Sequence, residues 1–455
     1  MDIKVITRHS PSNYGSLLQS IATVHVIERL GHQCEIIDYQ RKDERGLKGV
    51  LTQLNCKGSY GNPLKRLAYI AIRYPIEKYA QVKFDRMRKC YLKMTKQCSS
   101  HKDLAKFSAD AYMTGSDQVW GPMMNGHYDS AYFLQFAKDN VRKLAYAASF
   151  GKTKFDASTV ADYKKMLASY DKIAVREKSA VEMLDDWGME NCAGQVLDPT
   201  LLLDKNEWKN LIVKKNDFDK YKDKNYILVY QIHNDPKLSD YAKRLAKHSG
   251  IELVRVNPML HQILRGGKFI FCPDLSEFLS LIANALCIVT DSFHGTCFSI
   301  NFGKQFIEIL PNNATGTRNQ SILELTGLSD RILCDFNDYS LVDKVIDYGK
   351  YRYEQARKEK DAKKKQKTVE LKEIRLSPNI EANDLNTKMN AAKKFLAKGN
   401  KVKITLRFRG REMAHMNASK HILDDIAENL SDVAVVEKAP KVEGRSIGMV
   451  LAEKR

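Results

Sequence analysis

Over roughly the first 345 residues, short apolar runs alternate with longer amphipathic stretches. The runs at 3–7, 34–39, 111–114, 144–147, 172–175, 226–231, 252–256, 269–271, 287–290 and 305–309 read as strands. Helical periodicity fills several intervals between them, at 16–30 (ended by Gly31), 238–249 and 275–284. Such alternation implies parallel sheets in doubly wound α/β domains. The stretch is too long for one such unit. Two Rossmann-like lobes are therefore expected, at 1–185 and 186–346.

The pattern changes after residue 346. A charged segment at 347–371 contains Lys363, Lys364 and Lys365 in succession and reads as a solvated helical linker. From 372 the order is strand, helix, strand, helix, strand, strand. Asn383 is a candidate N-cap, and Gly399 a helix stop. Residues 401–409 alternate strictly. Lys401, Lys403, Thr405, Arg407 and Arg409 take one face, and Val402, Ile404, Leu406 and Phe408 the other. A small βαβαββ two-layer domain at 372–455 follows.

Charge and composition sharpen this division. The chain has 455 residues and a formal net charge of +19. From Asp347 onward, 26 basic residues face 16 acidic ones, while all nine Cys and all three Trp lie earlier. The dense basic tail favours an anionic partner such as RNA over a solvated strand face. The nine Cys form no CxxC pair, which argues for reduced thiols and against a zinc site. No run is long and apolar enough to span a membrane, and the first residues, which read as a strand, show no basic stretch followed by an apolar one. A cytoplasmic protein without a metal is expected.

The chemistry sits at strand ends, where open parallel sheets bind ligands. Asn13, Tyr14 and Gly15 follow the first strand, Ser116 and Asp117 the 111–114 strand, and Arg176 the 172–175 strand. Asp198 follows Val196-Leu197, and Ser292, His294 and Gly295 follow the 287–290 strand. Asp117 and Asp198 read first as turn and cap carboxylates. Arg176 reads also as a surface partner of Glu177. Together, the five junctions point to an anion-handling site between two lobes. No G-x-G-x-x-G or Walker sequence is present, which disfavours a dinucleotide or P-loop site.

The motifs Asn13-Tyr14-Gly15, Gly115-Ser116-Asp117-Gln118-Val119-Trp120, Tyr146-Ala147-Ala148-Ser149-Phe150-Gly151, Arg176-Glu177-Lys178-Ser179, Asp198-Pro199-Thr200 and Thr290-Asp291-Ser292-Phe293-His294-Gly295, in this order, resemble the polysaccharide pyruvyl transferase family. The resemblance implies a glycosyltransferase-like pair of Rossmann-like lobes. It also implies transfer of a pyruvyl group from phosphoenolpyruvate to a glycan acceptor, with no further cofactor. On that reading His294 is the proton donor and Arg176 clamps the donor's carboxylate or phosphate. Asn13, Tyr14, Gly15, Ser116, Asp117, Asp198, Ser292 and Gly295 would contact substrate.

The segments Lys372-Glu373-Ile374-Arg375-Leu376-Ser377-Pro378, Lys403-Ile404-Thr405-Leu406-Arg407-Phe408-Arg409-Gly410-Arg411-Glu412 and Glu443-Gly444-Arg445-Ser446 closely resemble the C-terminal domain of bacterial translation initiation factor 3. This resemblance implies binding to small-subunit ribosomal RNA. Lys393, Lys394, Arg407, Arg409, Arg411 and Arg445 would be its phosphate contacts. Ile346-Asp347-Tyr348 marks the seam. Three arrangements are open: an enzyme with an appended ribosome-binding domain, an initiation factor with a passive N-terminal part, and a chimeric gene model.

Overall fold

The computed structural model describes residues 1–41, 43–56, 62–123, 128–311, 316–349, 371–397, 400–408, 418–444 and 446–454. The chain divides into two compact units, Met1–Tyr351 and Arg352–Arg455.

The first unit contains two parallel sheets. One has six strands: β1 (Asp2–Ile6), β2 (Gln33–Ile36), β3 (Ala111–Thr114), β4 (Arg142–Ala148), β5 (Lys172–Val175) and β6 (Cys192–Gln195), in the order β2-β1-β3-β4-β5-β6. The other has β7 (Tyr226–Tyr230), β8 (Glu252–Asn257), β9 (Lys268–Phe271), β10 (Cys287–Thr290) and β11 (Gln305–Glu308), in the order β11-β10-β7-β8-β9. The central strands β3, β7 and β10 are buried at every position, as parallel strands covered on both faces must be. The boundary expected at 185 falls too early. β6 pairs in parallel with β5 and so belongs to the first sheet. Its sequence, Cys-Ala-Gly-Gln, carries too little apolar character to announce a strand.

Strand order fixes where ligands can bind. In the first sheet the direction of winding reverses between β1 and β3, and in the second between β7 and β10. Each reversal splays two loops apart and opens a crevice beyond the strands' carboxyl ends. The lobes are joined by stacked aromatics. Tyr14 lies parallel to Phe278, with centroids 4.1 Å apart, and its hydroxyl donates to the Pro273 carbonyl at 2.6 Å. A helix of 29 residues, Pro63–Tyr91, has no counterpart in the sequence expectations. Pro75 in its middle reads as a breaker, and several of its apolar positions face outward.

The second unit is a sheet in the order β12-β13-β15-β14: β12 (Leu371–Leu376), β13 (Lys401–Arg407), β14 (Ala434–Glu443) and β15 (Ser446–Glu453). β12 and β13 are parallel, whereas β15 runs antiparallel to β13 and β14. Helices Ala382–Leu396 and His421–Asn429 complete the two layers. Val402, Ile404, Leu406 and Phe408 are buried, as their alternation requires. Asn383 lies inside the first helix and does not cap it. Glu381 holds the cap position without a side-chain bond. Most of the expected linker, and Gly399, lie outside the described residues.

Candidate active site

Both winding reversals open onto one cavity of about 270 Å³. Arg8, Asn13 and Asp117 reach it from the ends of β1 and β3, His233, Ser292 and His294 from the ends of β7 and β10, and Arg318 from helix Gly316–Thr326. Two of these residues open helices. The Asn13 side chain accepts from the Ser16 N–H, starting helix Tyr14–Arg29, and the Ser292 hydroxyl oxygen accepts from the Gly295 N–H, starting helix Phe293–Asn301. Each exposes a positive dipole end to the cavity. Asp117 holds a left-handed backbone, φ +82°. Such a conformation costs roughly 1–3 kcal/mol at a non-glycine residue, and it persists only where the surroundings impose it. Here the Ser149 N–H donates to the Asp117 carbonyl, and the Ser16 hydroxyl donates to its carboxylate at 2.7 Å.

A charged layer lies directly behind the cavity. The Asp198 carboxylate is wholly buried. One oxygen accepts from Arg176 Nη1 at 3.0 Å and Ser116 Oγ at 2.7 Å, and the other from the Thr200 N–H and hydroxyl. His294 Nε2 lies 3.7 Å from the same oxygen that Arg176 holds, so this contact crosses between the lobes. Burial alone would raise the Asp198 pKa. The His294 and Arg176 charges and the Ser116 hydroxyl outweigh it and hold the carboxyl well below the usual range. Burial likewise opposes the Arg176 charge, but Glu177, Asp198 and Asp117 keep the guanidinium firmly protonated. Its plane rests 4.1 Å from the Phe293 ring centre.

Gly15 explains how the imidazole is seated. A Cβ at this position would overlap the His294 ring. The first turn of helix Tyr14–Arg29 therefore lies flat against the histidine, and only a residue without a side chain permits that approach.

The expected site residues thus separate into groups. Asn13, Asp117, Ser292 and His294 border the cavity. Ser116, Asp198 and Gly15 form the layer behind it. Arg176 does not border the cavity: its side chain is 1% exposed and bound to Asp198, Glu177 and Ser116, with Nη2 left without a hydrogen-bond partner. Tyr14 does not border it either, because its ring belongs to the core joining the lobes. Gly295 spends its N–H on the helix cap and has none to offer a ligand.

Among the basic residues of the cavity, three escaped the sequence reading: Arg8, His233 and Arg318. Arg8 and His233 closely follow strands, a signal that was available. Arg318 follows no strand and could be found only in three dimensions. Burial and the nearby Arg176 charge lower the Arg318 pKa to about 10. His233 Nδ1 lies 3.6 Å from Asp291, whose carboxylate accepts the Ile232 and His233 N–H groups. Beneath the His294 helix, Glu308 is fully buried, and burial pushes its carboxyl up to about 8. It meets the Thr296 hydroxyl and Asn319 Nδ2.

A larger cavity of about 500 Å³ adjoins the first and shares Asn13 and Ile232 with it. Its walls mix apolar groups (Ile72, Ile76, Met259) with polar ones (Asn234, Asn257, Gln262).

In the second unit, Arg407 is exposed on the open face of the sheet, in a shallow concavity of about 380 Å³ with Glu373, Arg375, Thr405 and Ser446. Lys393 and Lys394 lie instead on helix Ala382–Leu396, where Lys393 pairs with Asp432 at 3.3 Å. The structure therefore does not gather these three on one surface. Arg409, Arg411 and Arg445 lie outside the described residues.

Two doubly wound lobes with a cavity at their reversal points define the first unit as a two-lobed α/β protein with its ligand site in the cleft. Residues 13–313 match the family described as polysaccharide pyruvyl transferase, and the chain belongs to that family. Residues 369–454 match the C-terminal domain of translation initiation factor IF-3. Over 126 residues the chain is 52% identical to the translation initiation factor IF-3 of Clostridium perfringens, covering 28% of this chain and 71% of that protein. It is 53% identical over 112 residues to that of Caldanaerobacter subterraneus subsp. tengcongensis, covering 25% of this chain and 62% of that protein. Among solved structures, the UDP-GlcNAc 2-epimerase of Methanocaldococcus jannaschii aligns at 13% identity over 76% of this chain and 91% of its own, with a TM-score of 0.44. That of Rickettsia bellii aligns at 15% identity over 81% and 99%, with a TM-score of 0.40.

Proposed function

We propose that the first unit transfers the pyruvyl group of phosphoenolpyruvate to a glycan as a cyclic ketal. The observation carrying this reading is the cavity that Arg8, Arg318, His233, His294 and two helix N-termini surround. A small molecule bearing a phosphate and a carboxylate matches that set of donors. His294 delivers a proton to the methylene carbon of the enol and leaves an oxocarbenium-like C2. Asp198, behind the ring, stabilises the imidazolium, and Arg176 holds Asp198 in place. A sugar hydroxyl attacks C2 and gives up its proton, which restores the imidazolium. The C2–O bond to phosphate then breaks, a second hydroxyl closes the ring, and its proton leaves with phosphate. The donor's own enol supplies the electrophile, so the scheme uses no cofactor. The larger adjoining cavity is assigned to the acceptor.

The test is phosphate release and ketal formation with phosphoenolpyruvate and candidate cell-surface glycans. His294→Ala is expected to lower the rate by about 10²–10⁴. A rate near that of the unaltered protein in this variant would remove His294 from the chemistry.

For the second unit, we propose binding to small-subunit ribosomal RNA through the open sheet face that carries Arg375, Lys401, Lys403 and Arg407. The supporting observation is that β13 buries its apolar residues and turns its basic ones outward. Filter binding to the small subunit across a salt series tests it.

A further inference from the structure

Helix Pro63–Tyr91 carries an apolar stripe on its solvent side. Leu64, Leu67, Ala68, Ala71, Ile72, Pro75, Tyr79 and Val82 recur at helical spacing, and all are exposed. Leu64, Leu67 and Ile72 are 76%, 65% and 68% exposed. From Leu64 to Val82 the stripe runs about 27 Å. The buried face of the same helix is a separate set, Ala80, Phe84, Met87 and Arg88. Apart from Tyr79, whose ring stacks on Phe271 at 5.5 Å, the stripe plays no part in the core, and a continuous apolar band of this length on the outside of a protein marks an interaction surface.

The charge on the helix says what covers it. Its 29 residues contain eight Lys or Arg and two acidic residues. Both acids are occupied within the protein: Glu77 binds Arg73 at 2.6 Å, and Asp85 binds Arg45 at 2.6 Å and Arg88. Lys65, Lys78, Arg86 and Lys89 are exposed beside or beyond the stripe. An apolar band bordered by cations complements an anionic lipid surface, where side chains enter the acyl boundary and Lys and Arg meet the headgroups. A second copy of this helix would bring the same excess of positive charge against itself. No helix among the described residues is long and apolar enough to cross a membrane, so the contact is one of lying on the surface.

The geometry points to this helix as a docking face for an anionic bilayer. Ile72 belongs both to the stripe and to the wall of the 500 Å³ cavity. On the second-lobe side that cavity is bordered by the turn Leu260–Arg265, whose Ile263 and Leu264 are 52% and 87% exposed. Docking thus sets the mouth of the larger cavity beside the lipid surface.

The experiment uses the full chain with vesicles of equimolar phosphatidylglycerol and phosphatidylcholine. Because the C-terminal unit is also basic, the variants alter apolar positions only: Leu64→Ser, Leu67→Ser and Ile72→Ser combined. Vesicle partitioning is expected to fall roughly ten-fold or more, with an unchanged circular dichroism melt. A Leu64→Trp variant is expected to shift its added emission to the blue on binding and to be quenched by brominated lipid. Unchanged partitioning of the triple variant overturns the proposal. So does an added Leu64→Trp emission that stays water-exposed on vesicles, and so does loss of a dimer in the triple variant with vesicle binding intact.

Discussion

Replacing Glu308 by Gln tests the electrostatics beneath the site. Glu308 is fully buried, and burial raises its carboxyl from 4.5 to about 8. The neutral acid fits its surroundings. Its O–H can donate to the Thr296 oxygen, since the Thr296 hydroxyl in turn reaches the Ser292 carbonyl at 3.1 Å, while its carbonyl oxygen accepts from Asn319 Nδ2 at 2.5 Å. The glutamine amide reproduces both bonds without the ionisable proton. Between pH 4.5 and 8 the native protein keeps a proton that the unfolded chain has released. Stability of the unaltered protein therefore falls as pH rises through this window. At about 1.4 kcal/mol for each tenfold change in proton affinity, the full effect is about 5 kcal/mol. Glu308→Gln is expected to match the unaltered protein near pH 4.5 and to exceed its stability by up to that amount above pH 8. Urea unfolding followed by tryptophan emission measures this in the first unit alone, because Trp120, Trp187 and Trp208 all lie there. Parallel stability profiles for the two proteins across this pH range would refute the reasoning.

Asp198→Asn leaves the Arg176 charge buried beside a neutral amide. Tryptophan-monitored unfolding is expected to show a loss of about 3–5 kcal/mol, with a fall in transfer rate. At Gly15 intrinsic propensity favours alanine by up to about 1 kcal/mol, but the methyl would collide with the His294 ring. Gly15→Ala is expected to lower stability, and combining it with His294→Ala should recover only part of the loss, because the Cβ that remains at 294 would still lie 2.8 Å from the new methyl; simple additivity in a double-mutant cycle would argue against the contact. In the second unit, Arg407→Ala is expected to weaken small-subunit binding and to reduce its log–log salt slope by roughly 0.7–0.9. An unchanged slope would place Arg407 outside the RNA contact.

The sequence by itself determined the architecture. Buried parallel strands need continuous apolar runs, so ten of the eleven strands of the first unit announced themselves. Only β6, with Cys-Ala-Gly-Gln at a sheet edge, did not. β13 advertised its two faces by strict alternation of basic and apolar residues. His294, Asn13, Asp117 and Ser292 were legible as well, because the strand–loop–helix rule carries such residues to the ligand side of a sheet. Tertiary structure decided what each group touches. Arg176 and Arg8 both follow strands, yet Arg176 turns inward to bind Asp198 while Arg8 reaches the cavity. Tyr14 and Asn13 are adjacent, yet one packs between the lobes and the other faces the cavity. Direction at that scale depends on tertiary packing, whether inside one lobe, as between Arg176 and Asp198, or across two, as between Tyr14 and Phe278. The outward stripe on helix Pro63–Tyr91 was hidden for the same reason: periodicity reveals an apolar face, and only packing reveals whether anything covers it.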